Sequence, residues 1–253
     1  MTTGIKIKAP IPLTLSSMGL PHVHIHIESE YVEAIFSPEP GSKTQVEVQC
    51  SSAPAEKKRG LKQQIEAEFQ CSGFKLNLLW TQMSAPPFSL ERRMLHHLLL
   101  VAKDFYERKG QSFSYEPEGD VAYDPLFLNG KFTYERYDAT GSFPFPRGWS
   151  YGLVKGPFDF EDLPASDQQA AILSEALYKN NPFLLHEMKS PIDMKALWGE
   201  VAEQALIAVP LQAVGKVLVI FGQSYKRDSF QKNLQKPYHC TPTALDTLGT
   251  RIV

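Results

Sequence analysis

The chain of 253 residues is poor in cysteine and has no long apolar run. Its three cysteines, Cys50, Cys71 and Cys240, are an odd number at wide separations, which suits neither a disulfide framework nor a zinc-binding CxxC pair. No stretch approaches the roughly 18 consecutive apolar residues of a membrane helix, and the N-terminus lacks the apolar segment of a secretion signal. These absences predict reduced thiols, a cytoplasmic location and no membrane partner.

The chain also lacks an excess of either charge. Lys and Arg number 26 against 28 Asp and Glu, so the net charge is −2. Because a protein that holds nucleic acid against salt needs a basic surface, we expect no nucleic-acid partner. The apolar fraction of 43% and the charged fraction of 21% are close to those of ordinary globular domains, so a folded core is predicted.

Familiar catalytic motifs are absent from the sequence. It contains no Walker A loop, no Rossmann glycine set after a strand and no HExxH helix. The segment from Gly222 to Ser224 lacks the second glycine of a nucleophile elbow. These absences lean against an enzyme.

Apolar and polar residues alternate in the first 50 positions. Ile5 and Ile7 alternate with lysines, and the apolar residues of segment 23–27 alternate with histidines. This period of two is typical of half-buried antiparallel strands, and the turn-forming residues 37–42 separate two of them. We therefore expect residues 1–85 to form a small β-rich N-terminal unit.

The longest predicted helix follows a proline-containing boundary at residues 84–88. Ser89 can cap its start, and Gly110 can end it in the left-handed conformation. Apolar residues recur at spacings of three and four, which predicts a helix over residues 90–109 with one apolar face. These residues are Leu90, Met94, Leu95, Leu98, Val101, Ala102, Phe105 and Tyr106.

Further elements are predicted towards the C-terminus. Two apolar runs, 205–211 and 216–221, predict a buried β-hairpin, and an Asn-Gly pair predicts a second hairpin that joins 126–128 to 131–134. Residues 241–253 begin with a proline near the first turn and carry apolar residues at helical spacing, which predicts a closing helix. The predicted fold class is α+β.

The order of elements from residue 90 onward resembles that of the GAF domain family. Residues 205–211 form an apolar strand that ends in Pro-Leu and is followed by a second strand at 217–222, as in that family. Residues 176–185 are similar to the family's helix end and the strand after it. The resemblance implies that residues 90–253 form a GAF-like domain, with an antiparallel sheet flanked by helices and a ligand pocket.

The same resemblance implies a cytoplasmic signalling or regulatory protein that senses a small molecule or binds a protein partner. It also implies a homodimer through the first and last helices of the domain. The pair His239-Cys240 reverses the Cys-His order of bilin-binding members, and the Asn-Lys-Phe-Asp-Glu signature of cyclic-nucleotide-binding members is missing. Neither ligand therefore carries over, and any cofactor stays unknown.

An aromatic segment with many prolines and glycines supplies the candidate ligand-binding residues. These are Tyr137, Phe145, Arg147, Trp149 and Tyr151. If the GAF interpretation holds, aromatic walls with one cation suit a planar or anionic ligand. The alternative is that the aromatic side chains fill a satellite core, which favours a ligand-free interaction scaffold.

A second candidate site lies in the first 30 residues. His22, His24 and His26 alternate along one strand and so share one face, where two imidazoles can bind one divalent metal ion and Glu28 can add an oxygen. This pattern leaves open a metal-dependent enzyme. A polar strand face beside a buried apolar face explains the same alternation without a metal.

Overall fold

The computed structural model describes most of the chain in ten segments. They are residues 4–14, 22–69, 72–83, 87–115, 123–128, 132–135, 140–143, 148–160, 193–211 and 214–253. Three site residues predicted above, Tyr137, Phe145 and Arg147, lie outside these segments. Within them, no helix combines the length and the apolar character needed to cross a membrane.

The described part of the chain contains both strands and helices. The strands are β1 (Ile5–Thr14), β2 (His22–Lys43), β3 (Gln45–Cys50), β4 (Ser72–Trp80), β5 (Phe132–Glu135), β6 (Thr140–Phe143), β7 (Ser150–Lys155), β8 (Ile207–Leu211), β9 (Lys216–Phe221), β10 (His239–Thr243) and β11 (Arg251–Ile252). The helices are α1 (Ala55–Glu68), α2 (Ser89–Arg108), α3 (Pro125–Leu128), α4 (Met194–Trp198) and α5 (Ser224–Asn233), and a 3-10 helix covers Gly199–Gln204.

The chain divides into two compact units, and each is built from separated segments. Unit 1 comprises Met1–Ile11, Ser29–Asn129 and Leu248–Val253, and unit 2 comprises Pro12–Glu28 and Gly130–Thr247. The boundary predicted at residues 84–88 lies inside unit 1. Strands β1 and β2 each contribute residues to both units.

One sheet has the strand order β11-β1-β2-β4-β3, and the short pair β5 and β6 joins it through β2. Strand β4 pairs antiparallel with β2 and parallel with β3. In unit 1, one face of these strands carries buried side chains such as Phe36 and Leu76, and helices α1 and α2 contribute Ile65, Leu95 and other buried residues to the same core. The apolar periodicity of α2 explains this packing, and the predicted helix at 90–109 is confirmed.

The second sheet belongs to unit 2 and has the strand order β10-β7-β9-β8. All its neighbouring strands are antiparallel, and β8 and β9 form the predicted apolar hairpin, which is confirmed. Side chains from alternate positions of these strands form a core with Trp198 and Phe230. The coarse α+β class, with antiparallel sheets flanked by helices, is therefore confirmed.

Two local predictions are wrong. Residues 126–128 lie in helix α3 rather than in a hairpin strand, because Asp124 and Pro125 supply a helix cap and a first helical residue. The segment 241–253 does not form a closing helix. Its ends instead lie in β10, which pairs with β7, and in β11, which pairs with β1.

Candidate functional site

Asp124 is the centre of a polar cluster in unit 1. Its carboxylate accepts two hydrogen bonds from the guanidinium of Arg93, at 2.9 Å from Nε and 3.3 Å from Nη2. It also accepts the backbone N–H of Leu126 at 3.0 Å, so it caps α3. The side chains of Arg93 and Asp124 are 43% and 19% exposed, which leaves both within reach of a dissolved molecule.

His97 lies one helical turn after Arg93 on α2 and is only 1% exposed. The Thr250 hydroxyl donates to the carbonyl of Phe127 at 2.8 Å, so its oxygen accepts the Nε2–H of His97 at 3.0 Å. Nδ1 of His97 is buried and makes no hydrogen bond to any residue that the structure describes. These contacts fix the imidazole with its proton on Nε2.

Burial keeps this imidazole neutral. Desolvation lowers the pKa of His97 from 6.5 to about 4, against a smaller opposing effect of the Asp124 carboxylate. His97 is therefore uncharged near pH 7 and takes no part as a cation. Its contacts with Thr250 and Phe127 tie α2 to α3, which positions Asp124.

Tyr123 covers one side of the cluster. Its ring meets the His97 ring edge-to-face at 5.8 Å, and its side chain is 38% exposed. Burial and then the nearby Asp104 carboxylate raise the pKa of Tyr123, so the phenol stays protonated at neutral pH. The cluster thus offers one partly exposed carboxylate and one fixed cation, while the phenol of Tyr123 is held by its hydrogen bond to Asp104.

The described part of the predicted aromatic site comprises Trp149 and Tyr151. Trp149 is half-buried just before β7, and Tyr151 lies within β7 and is 7% exposed. Burial raises the pKa of Tyr151, and its hydroxyl makes no hydrogen bond. Ligand binding by this group stays a prediction.

The predicted metal-binding strand is β2. His24 and His26 are buried, at 7% and 0% exposure, and so are the neighbouring Ile25 and Ile27, so both faces of the strand are covered here. The backbone of His22 pairs with β5, opposite Glu135. Among the residues that the structure describes, no three His, Cys, Asp or Glu side chains are grouped to hold a metal ion.

No protein-family model and no curated protein sequence matches the chain. Solved structures do match. Homoserine kinase from Cytophaga hutchinsonii superposes with a TM-score of 0.59 at 13% identity, and the match covers 100% of this chain and 98% of that one. The chain shares the fold of this kinase.

Two further matches support the same fold. Mevalonate-3-kinase from Thermoplasma acidophilum has a TM-score of 0.57 at 9% identity, with coverage of 100% of this chain and 99% of that one. Mevalonate pyrophosphate decarboxylase from Streptococcus pyogenes has a TM-score of 0.54 at 11% identity, with coverage of 96% and 97%. At such low identities the likeness establishes the fold and leaves the activity to be tested.

These matches overturn the GAF interpretation and what followed from it. The predicted signalling function and the leaning against an enzyme are wrong, because the matched structures are those of enzymes, most of them kinases. The metal-enzyme and scaffold alternatives gain no support from these matches. The physical reason is that an apolar strand, a turn and a second apolar strand occur in any buried antiparallel hairpin. The run at 205–211 and its partner therefore carried no family-specific information.

Sequence reasoning missed the Asp124 cluster. The local signal was the pair Asp124-Pro125, which is typical of a helix start, and the spacing of Arg93 and His97 by one turn of a predicted helix. Nothing in the sequence shows that Thr250 meets His97, since 153 positions separate them.

Proposed function

We propose that this protein is a phosphotransferase that moves a phosphoryl group from a nucleoside triphosphate to the hydroxyl of a small molecule. The main support for the proposal is that the fold match covers both chains almost completely. The match includes nearly all of this chain and nearly all of homoserine kinase and mevalonate-3-kinase. A shared subdomain would support much less, because folds are reused for unrelated activities.

We assign to Asp124 the role of the base that accepts the proton of the attacking substrate hydroxyl. In phosphoryl transfer a positioned carboxylate accepts the proton of the attacking hydroxyl, while fixed cations stabilise the charge on the transferred group. Asp124 is partly exposed and is held by Arg93 and by the N-terminus of α3. Arg93 supplies the adjacent cation.

The start of α2 does not fit a phosphate. Phosphate sites at helix N-termini use exposed backbone N–H groups and glycines that let the ligand approach. Here residues 81–91 contain no glycine, and the cap residue Phe88 is 4% exposed in a left-handed conformation with φ of 56°. The first turn also carries the buried acidic residue Glu91, which disfavours an anion there. We therefore assign the donor phosphates to no residue of α2.

The direct test is phosphoryl transfer by the purified chain. It is incubated with ATP or GTP and Mg²⁺ and with a panel of small alcohols that includes homoserine, mevalonate and simple sugars, and phosphorus NMR identifies any new phosphoester. We expect one class of alcohol to be phosphorylated. The absence of any new phosphoester across the panel, with folded protein and both donors, would overturn the proposal.

Asp124→Asn tests the residue assignment. Loss of the carboxylate base is expected to lower kcat by about 10²–10⁴-fold, because positioned proton transfer contributes that much in many enzymes. Asp228→Asn is the matched control, since Asp228 is an exposed aspartate on α5 that also pairs with an arginine. Equal activity of Asp124→Asn and the wild type would remove Asp124 from the mechanism.

A further inference from the structure

Unit 1 contains a cavity that the Asp124 cluster does not use. Its volume is about 620 Å³, and it lies among the end of α1, the starts of β3 and β4, and the middle of α2. This volume is within the range of small-molecule sites in proteins, about 300–1,000 Å³. The apolar part of its wall comes from Val46, Ile65, Phe74, Leu76, Leu95 and Leu99.

The cavity and the Asp124 cluster lie on different sides of α2. Leu95 and Leu99 line the cavity, whereas Arg93 and His97 belong to the cluster. Successive helical residues are rotated by about 100°, so Leu95 and His97 point about 200° apart. A molecule in the cavity is therefore separated from Asp124 by the helix itself.

The polar side chains at the cavity have an uncompensated positive charge. Lys43 and Ser72 stand opposite each other in the pairing of β2 with β4, so their side chains emerge on the same face. Glu66 also lines the cavity, but Lys62 lies 3.7 Å from its carboxylate. Lys43 forms no ion pair with any residue in the described segments.

We propose that this cavity binds a small amphipathic monocarboxylate, with its apolar body against the leucine and phenylalanine wall and its carboxylate at Lys43 and Ser72. An apolar wall with a few polar groups at one end selects ligands of that build, since the body gains from leaving water and the head keeps a charged partner. The proposal does not depend on phosphoryl transfer, and a measurement of binding is enough to test it.

Octanoate is the probe, and isothermal titration calorimetry is the measurement. The neutral octanol and the cationic octylamine have the same apolar body and different heads. We expect one octanoate to bind per chain and the two analogues to bind more weakly. Equal binding of octanoate and octanol, preference for octylamine, or no octanoate binding at millimolar concentration would each overturn the proposal.

Variants locate the binding within the molecule. Lys43→Met keeps the aliphatic stem and is expected to weaken octanoate binding roughly twofold to fivefold, the effect of an exposed ion pair. Lys232→Met, on the exposed face of α5, is the matched control and should bind like the wild type. An unchanged affinity in Lys43→Met would refute the assignment of the carboxylate.

A second pair of variants tests the cavity itself. Ser72 is exposed at the start of β4, so Ser72→Phe places a ring over the opening without disturbing the core. We expect Ser72→Phe to abolish octanoate binding while circular dichroism and the melting temperature stay those of the wild type. Ser72→Ala leaves the opening clear and should still bind. Octanoate binding by a folded Ser72→Phe variant would place the ligand elsewhere.

Discussion

Acidification should destabilise the protein through His97. Folding lowers the pKa of this histidine from 6.5 to about 4, so the unfolded chain binds the proton more tightly than the folded chain. The neutral imidazole therefore makes its full contribution to the free energy of unfolding above pH 6.5, and this contribution is lost as the pH falls towards 4. At about 1.4 kcal/mol for each pKa unit, the loss amounts to about 3 kcal/mol over that window.

The comparison that isolates this loss uses His97→Gln. The glutamine amide can still donate to Thr250 but does not titrate, so carboxylates that also respond to acid cancel in the difference between the two proteins. Urea unfolding at pH 7.5, 6.0, 5.0 and 4.5 gives the free energy of unfolding at each pH. We expect the difference between wild type and His97→Gln to change by about 2–3 kcal/mol from pH 7.5 to 4.5, in the direction that disfavours the wild type.

The reasoning fails if that difference stays constant over this pH range. It also fails if the His97 imidazole titrates near 6.5 in the folded protein, as followed by its ring proton shifts in NMR. Either result would mean that His97 is hydrated in solution, in spite of its 1% exposure and its contact with Thr250.

Two further substitutions test the packing that supports these sites. Gly152→Ala should lower the free energy of unfolding by about 1–3 kcal/mol, because the new Cβ would lie 2.7 Å from Sγ of Cys240. Thermal unfolding measures this, and Gly222→Ala, whose Cβ would meet Leu206 at an ordinary 3.6 Å, should change little; equal effects would contradict the close approach of β7 and β10. Thr250→Val should cost about 1–3 kcal/mol, because the buried Nε2–H of His97 loses its acceptor. Thr250→Ser keeps the hydroxyl and should be more stable than Thr250→Val in the same urea titration, and a Thr250→Val variant as stable as the wild type would contradict the role of the hydroxyl.

Local patterns predicted those elements that their own side chains determine. Helix α2 follows from its three-and-four spacing, and the hairpin of β8 and β9 follows from two apolar runs around a turn. The turn-forming residues at 37–42 predict a break between two strands. The structure instead places these residues within β2, where the pairing with β4 shifts register between Pro38 and Lys43.

Elements that depend on distant partners were not predictable. In the segment 241–253, Leu245, Leu248 and Ile252 have helical spacing, but Leu245 is 6% exposed and Leu248 is 67% exposed, so they do not share a buried face. The conformation of this segment is determined by strand pairing, of β10 with β7 and of β11 with β1. No local property of the sequence indicates these pairings. The same holds for the Asp124 cluster, whose members come from α2, from the two residues before α3 and from the residue before β11.

The pairing of β1 with β11 joins Ile7 to Ile252, so positions far apart in the sequence become neighbours. Until residues 251 and 252 have been synthesised, the side of β1 that later receives β11 is an open strand edge. Open edges recruit other chains, and here the protecting strand is only two residues long. A product clipped before residue 250 would keep that edge open and would also leave the His97 imidazole without its threonine.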